Sequence, residues 1–384
     1  MTLKSRAPRY SVKPGTADNT LQYKVTPGAA STPQFLQYLR YVIFLNKCKM
    51  FPYLASAFVL CSFIVASNGE PFWSFVNLTS GDQYCPQGYS LVGSQCLMFV
   101  TFAEESHSDA RQVCHAASGE LLAITSPTQF KEVVDHLYAY GYTGRQFWLD
   151  GSDAQAEGNW VTSSGQAVPR GTPFWAAFQD FQQPDNEHGG EHCLEMESSE
   201  FFYLNDAVCE DKSNFICQYK PQRQDERDPA PPTQAPEEAA REVHSGQCPT
   251  FYAEVGGLCL MFVTWAEQTW HEARQTCGDS SDLLAVTDAE VLRAVYLYLH
   301  EENIAAHSFW LGGSDSTEGH WVYTTGESVP MGTPFWGLYR GDSSVQEPQG
   351  GTGENCLMLH APGSHYFRDV ACSSKLNPLC VYRG

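Results

Sequence analysis

The chain has 384 residues, of which 42% are apolar and 13% aromatic; this fills the cores of two or three ordinary domains and excludes disorder throughout. Twelve of its fourteen cysteines lie after Cys61 in two sets of six, which suits an oxidising compartment and argues against the cytosol. The formal net charge is −21, and because residues 1–49 hold eight Lys/Arg against one acid, −28 falls on the rest; such an acidic body repels nucleic-acid phosphates and anionic lipid heads, leaving divalent cations and neutral ligands as natural partners.

Residues 1–49 form a basic extension, rich in Pro, Thr and Lys, expected to be disordered or absent from the mature protein. From Phe51 to Ser67 runs FPYLASAFVLCSFIVAS, uncharged, preceded by Lys47 and Lys49 and ending in the small residues Val65-Ala66-Ser67. Residues 50–67 are therefore predicted to be a secretory signal peptide starting at Met50. The alternative is a signal anchor of a type II membrane protein, lengthened by Tyr41 to Leu45, although Pro52, Ser56 and Ser62 weaken a permanent span. In both cases everything after Ser67 lies outside the cell. Asn77-Leu78-Thr79 is a glycosylation sequon on an exposed stalk ahead of the first domain.

The first domain is predicted over residues 80–219, in the order of a Cys-bounded hairpin, two helices, short strands and a long irregular segment. Helical period is visible in Phe102, Ala110, Val113 and Cys114, and again in Phe130, Val133, Val134 and Leu137. Trp148-Leu149 suits a buried strand entering a turn. Asp150 to Cys193 is dense in Gly, Pro, Asn and Asp, and a loop that long in a compact domain is usually functional. Residues 220–246 are rich in Pro and charge and predict an extended, semi-rigid linker. Residues 247–383 then repeat the first domain. Cysteines 85, 96, 114, 193, 209 and 217 are spaced by 11, 18, 79, 16 and 8 residues, and cysteines 248, 259, 277, 356, 372 and 380 repeat all five spacings. FWLDGSDAQAEGNWV matches FWLGGSDSTEGHWV, and VPRGTPFW matches VPMGTPFW, so the chain holds a duplicated domain.

Six cysteines in this order, a Trp-Leu-x-Gly strand and a loop ending in a Pro-centred polar triplet resemble the C-type lectin domain over about residues 85–219 and 248–382. The tandem layout is similar to secreted invertebrate immune lectins. The resemblance implies an α+β fold, each domain having two helices, small antiparallel sheets, a long irregular loop and three disulfides. It implies the pairings Cys85–Cys96, Cys114–Cys217 and Cys193–Cys209, then Cys248–Cys259, Cys277–Cys380 and Cys356–Cys372; the residues alone allow fifteen connectivities per domain. A bridge closing about 100 residues would contribute about 4–5 kcal/mol through unfolded-state entropy.

Within the first domain stand Gln183-Pro184-Asp185, Glu191 just before Cys193, and Leu204-Asn205-Asp206 just before Cys209. Ca²⁺ takes six to eight oxygen ligands, and Gln183, Asp185, Glu191, Asn205 and Asp206 supply five oxygen-bearing side chains, three of them anionic. The resemblance implies a cis peptide before Pro184 and a sugar whose vicinal hydroxyls complete the metal shell. Gln183, Asp185, Glu191 and Asn205 are then also the carbohydrate ligands. The family's Trp-Asn-Asp motif keeps both ligands and loses its aromatic to Leu204. Gln-Pro-Asp resembles the galactose-type triplet, which favours galactose or N-acetylgalactosamine. Residues 186–190 lack the aromatic that such binders stack on the sugar, and Phe201, Phe202 and Tyr203 are the candidates to stand in for it, which spacing alone does not decide.

The second domain has Glu347-Pro348-Gln349, Glu354 and Phe367-Arg368-Asp369. Glu347, Gln349, Glu354 and Asp369 are a degenerate second site, because the Arg368 guanidinium stands where the first domain has Asn205 and is expected to pair with an acid there. His188-Gly189-Gly190-Glu191-His192 fits an inverted zinc-peptidase pattern, but that motif requires a helix, which adjacent glycines disfavour. Arg340-Gly341-Asp342 is an integrin-type tripeptide of a kind that recurs by chance. The expectation is a secreted, non-enzymatic, calcium-dependent glycan binder of innate defence that recognises microbial or self surfaces, with oligomerisation adding avidity. The rivals are a membrane-anchored receptor of the same fold and a calcium-independent protein-binding module.

Overall fold

Helix α2 shows how local sequence builds the fold. The Ser126 side chain accepts from the Gln129 N–H, Pro127 occupies the first turn, and the helix runs Pro127–Ala139, as expected of an N-cap followed by a residue whose missing N–H costs nothing there. Phe130, Val133, Val134 and Leu137 are all at most 1% exposed, so each side chain contributes about 1.5–3 kcal/mol of burial. A computed structural model describes residues 85–178, 181–187, 189–220, 248–339 and 342–384. The signal stretch, Asn77 and nearly all of the linker lie outside the described residues.

The first domain comprises β1 (Ser90–Val92), β2 (Gln95–Glu105), α1 (His107–Ala116), β3 (Gly119–Leu121), α2, β4 (Phe147–Ser152), β5 (Ala177–Phe178), β6 (Phe181–Gln182), β7 (Glu191–Glu197), β8 (Tyr203–Val208) and β9 (Ser213–Tyr219). The second comprises β10 (Ala253–Val255), β11 (Leu258–Phe262), α3 (Trp270–Cys277), β12 (Ser281–Leu283), α4 (Ala289–Glu301), β13 (Phe309–Ser314), β14 (Val322–Tyr323), β15 (Leu338–Tyr339), β16 (Asp342–Gln346), β17 (Cys356–His360), β18 (Tyr366–Val370) and β19 (Asn377–Tyr382). The main sheet of the first domain has the order β1-β2-β9-β4-β7-β8, with β3 on β9; that of the second has β10-β11-β19-β13-β17-β18, with β12 on β19 and β14 on β13. Pairing is antiparallel except for β4 with β9 and β13 with β19, which run parallel.

Each main sheet is buried on both faces, which explains its continuous apolar strands. Along β4, Phe147 and Leu149 face the cluster beneath α2, while Trp148 faces a second cluster with Ala110 of α1 and Cys217. Phe309, Leu311 and Trp310 repeat this alternation in β13. Phe102 departs from the helical pattern read for it: it lies in β2 and is 67% exposed, because the Ser106 cap starts α1 only at His107. Val113 is on α1 but exposed.

The six disulfides join Cys85–Cys96, Cys114–Cys217, Cys193–Cys209, Cys248–Cys259, Cys277–Cys380 and Cys356–Cys372. Cys193–Cys209 ties the start of β7 to the segment just beyond β8, so these ends of the two strands cannot separate. Asp150 to Cys193 is less irregular than its composition suggests, since it holds the β5–β6 pair and isolated bridges from Val161 to Ala167 and from Trp175 to Leu204. Among the described residues no helix is long and apolar enough to cross a membrane.

Candidate functional site

Of the five oxygen-bearing residues of the first domain, the fold brings three together: Asp185 from the triplet loop, Glu191 from the start of β7 and Asp206 from β8. The Gln183–Pro184 peptide is cis, and Gln183 is anchored by its N–H to the Ala176 carbonyl at 2.9 Å. Asn205 and Asp206 come from β8. Asp206, 2% exposed, accepts from the backbone N–H groups of Asp185 at 3.1 Å and Asn186 at 2.9 Å, which pins the triplet loop onto the strand. Carboxylate oxygens of Asp185, Glu191 and Asp206 lie within 4.8 Å of one another. Burial, opposed by those backbone hydrogen bonds, pushes the Asp206 carboxyl up to about 6.

Two amide oxygens of the same set, Gln183 Oε1 and Asn205 Oδ1, are buried without a hydrogen-bond partner. An orphaned buried acceptor costs about 1–3 kcal/mol, and two amide oxygens with three carboxylates make a donor set of the kind a hard divalent cation takes. The residues present therefore fit Ca²⁺. The Asn205 side chain is oriented from behind, its Nδ2 lying 3.4 Å from Glu195 Oε1 and donating to Glu197 Oε2 at 3.2 Å. Burial, reinforced by the Glu197 charge, raises the Glu195 carboxyl to about 8. Glu200, also raised to about 8 by burial and the Glu197 charge, hydrogen-bonds Gln183. Glu195, Glu197 and Glu200 were missed in the sequence; the only signal was acids at alternate positions of one strand, which puts Glu195 and Glu197 on one face.

Asn186 was missed too, and it organises the loop. It adopts φ +50°, which Asn tolerates better than most residues, and its Oδ1 accepts from the N–H groups of Gly190 at 2.7 Å and Glu191 at 3.0 Å. Its Nδ2 donates to Glu157 Oε2 at 3.1 Å. Glu157 belongs to a second cluster with Asp153 and His192, whose ligand atoms also lie within 4.8 Å of one another. His192 Nδ1 is 3.0 Å from Asp153 Oδ1.

The second domain repeats the frame and changes the contents. Glu347–Pro348 is cis, and Asp369 accepts from Gln349 N–H at 3.3 Å and Gly350 N–H at 2.7 Å, as Asp206 does in the first domain. Arg368 Nε lies 3.2 Å from Glu347 Oε1, with the two side chains 19% and 2% exposed. Burial and the Asp369 charge push the Glu347 carboxyl up to about 8, against the opposing pull of Arg368. Gln349 turns its amide away, Nε2 donating to the Gln346 carbonyl at 2.7 Å. Glu354 folds over Gly350. Among the described residues, no His/Cys/Asp/Glu cluster with ligand atoms this close occurs in the second domain.

Phe202 is 1% and Tyr203 0% exposed, and Phe201 packs half-buried against the core; none of them replaces the missing stacking aromatic, because the first-domain core and the second domain claim those rings. Gly189 and Gly190 both have positive φ and Glu191 opens a strand, so His192 does not project from a helix as a zinc-peptidase histidine would; His188 lies outside the described residues. Arg340 and Gly341 also lie outside them.

Each half of the described fold is thus a disulfide-tied α+β domain, the first carrying an acidic cluster at the end of its long connection. The Lectin C-type domain family model matches residues 103–219 and 266–382, and the chain belongs to that family. It is 31% identical over 140 residues to perlucin of Haliotis laevigata, covering 35% of this chain and 82% of that one. To C-type isolectin Sp-CL4 of Scorpaena plumieri it is 26% identical over 113 residues, 29% of this chain and 73% of that one. Among solved structures, the mouse scavenger receptor C-type lectin carbohydrate-recognition domain matches with 25% identity and a TM-score of 0.30, covering 36% of this chain and 98% of that one.

Proposed function

We propose that the first domain binds glycans through Ca²⁺, held by Gln183, Asp185, Glu191, Asn205 and Asp206, and that the protein is a secreted pattern-recognition lectin. The observation that carries this reading is the pair of orphaned buried amide oxygens, Gln183 Oε1 and Asn205 Oδ1, beside three converging carboxylates. When bound, the cation supplies a Lewis-acid anchor for sugar hydroxyls, while Gln183, Asp185, Glu191 and Asn205 offer the surrounding hydrogen bonds. The Gln-Pro-Asp order supports galactose or N-acetylgalactosamine as the preferred sugar. The disulfides and the apolar stretch before Ser67 support an extracellular location.

In the second domain, the Arg368 guanidinium 3.2 Å from Glu347 supports a copy whose site is occupied by its own side chains and that binds neither cation nor sugar. The test is a glycan array probed with and without EDTA. Galactose-type binding abolished by chelation is the expected outcome; glycan binding that survives chelation would remove the cation from the reading, and no glycan bound in either condition would select a calcium-independent protein-binding module instead.

A further inference from the structure

The two domains meet through contacts that repeat across a local two-fold. Tyr203 Oη donates to the Trp336 carbonyl at 2.8 Å, and its counterpart Tyr366 donates to the Trp175 carbonyl at 2.7 Å. Thr333 Oγ1 donates to the Phe201 carbonyl at 2.7 Å, and its counterpart Thr172 donates to the Ser364 carbonyl. The Tyr203 and Tyr366 rings pack edge to face on each other, centroids 5.0 Å apart. All four donors are at most 3% exposed, and Leu338 and Tyr366 belong to the same apolar cluster as the first-domain core. Reciprocal pairing of equivalent residues is the mark of an isologous interface, the kind formed by two copies of one fold.

One-sided contacts then favour this pairing over two identical halves. Arg293 Nη1 donates to the carbonyls of Arg170 at 2.6 Å and Thr172 at 2.7 Å, and its guanidinium lies 5.4 Å from the Phe174 ring centroid. Glu290 accepts from Thr128 N–H at 3.1 Å and Thr128 Oγ1 at 2.9 Å. The first domain has Lys131 and Thr128 at the positions of Arg293 and Glu290 on the corresponding helix.

The docking bonds land on the backbone of the ion site. Leu204 N–H donates to Phe174, Ala176 N–H donates to Leu204, and Gln183 N–H donates to Ala176. The Trp175 carbonyl that accepts from Tyr366 therefore sits in the strand between Gln183 and the Leu204-Asn205-Asp206 segment. We propose that the second domain is a fixed structural partner of the first, docked through this face, and that the docking holds the segments bearing Gln183, Asn205 and Asp206 in position. The docking is independent of the glycan reading, whereas the effect on the ion site rests on it.

The experiment uses the full chain with a protease site placed in residues 221–246. After cleavage, the disulfide-intact halves should co-elute one to one on size exclusion at micromolar concentration, in EDTA as in calcium. Tyr203→Phe with Tyr366→Phe should weaken the pair about fivefold or more per lost buried hydroxyl. Cleaved wild-type halves that elute separately would overturn the docking. For the positioning role, calcium titration of the uncut chain carrying Arg293→Ala and Thr333→Ala, neither an ion ligand, should show affinity lowered about threefold or more. Affinity equal to wild type would overturn that role. A wild-type chain that binds no calcium would overturn the ion assignment and the positioning role together, while co-elution would still decide the docking.

Discussion

In the first domain Asn205 on β8 lies opposite Glu195 on β7; in the second, Arg368 on β18 lies opposite Met358 on β17. Glu197 on β7 corresponds to His360 on β17, so the second copy lacks not only the amide of Asn205 but also both acids that orient it. Asp206 and Asp369, by contrast, are unchanged and make the same two hydrogen bonds to the loop above. The difference teaches that the aspartate pins the loop in both copies, whereas the oriented amide and its acids belong to the first copy alone.

The largest effect expected from breaking this comparison is at the two aspartates. Asp206→Asn should abolish calcium-dependent sugar binding by the full chain, because it removes an anionic ligand while keeping an acceptor for the loop. Asp369→Asn should leave sugar binding at wild-type strength, read by retention on immobilised galactose.

A second contrast is in stability. His365 stands where the first domain has Phe202, is 1% exposed, and burial lowers its pKa from 6.5 to about 4. The neighbouring groups are the His307 carbonyl, which opposes the shift, and the rings of His300 and Tyr296. Between these values the unfolded chain binds the proton that the folded one excludes. Stability present above the unfolded value is therefore lost as pH falls toward 4, by about 3 kcal/mol at most. The loss should appear as the difference between wild type and His365→Phe in denaturant unfolding from pH 7 to 4, because the raised carboxyls of Glu195, Glu200, Glu347 and Asp206 act in the opposite direction and equally in both proteins.

How much of this was legible in the sequence differs between fold and site. The duplicated cysteine spacings and the alternation around Trp148 and Trp310 mark the domains and their two-sided sheets, because core periodicity is a local signal. The spacing of Gln183, Asp185, Glu191, Asn205 and Asp206 marks one loop system for the same reason. Glu200 beneath Gln183 and the reciprocal Tyr203 and Tyr366 contacts were not legible, since they depend on chain segments meeting at long range. Phe202 and Tyr203 were misread as sugar-facing for that reason: an aromatic near a site says nothing about which way it is packed.

Two smaller effects sharpen the contrast. Calcium affinity should be weak, with Kd on the order of 0.1–1 mM as for extracellular modules, so a concentration about twentyfold above Kd should stabilise the protein by about 2 kcal/mol. Thermal unfolding with calcium and with EDTA should show this gain in the wild type and lose it in Asp206→Asn. Arg368→Asn should remove the guanidinium from Glu347 and return an amide oxygen, but a second calcium should bind more weakly than the first, since Gln349 and Glu354 remain turned elsewhere. Calorimetric titration that gives the variant two equivalent sites would show that Arg368 alone disables the second copy.

The most direct measurement compares Glu191→Gln with Glu354→Gln in the full chain, reading galactose binding by calorimetry in millimolar calcium. Each substitution removes the equivalent charge while keeping size and an acceptor oxygen. The account requires loss of binding in Glu191→Gln and wild-type binding in Glu354→Gln; binding retained by the first, or lost in the second, would contradict the assignment of the sugar site to the first domain.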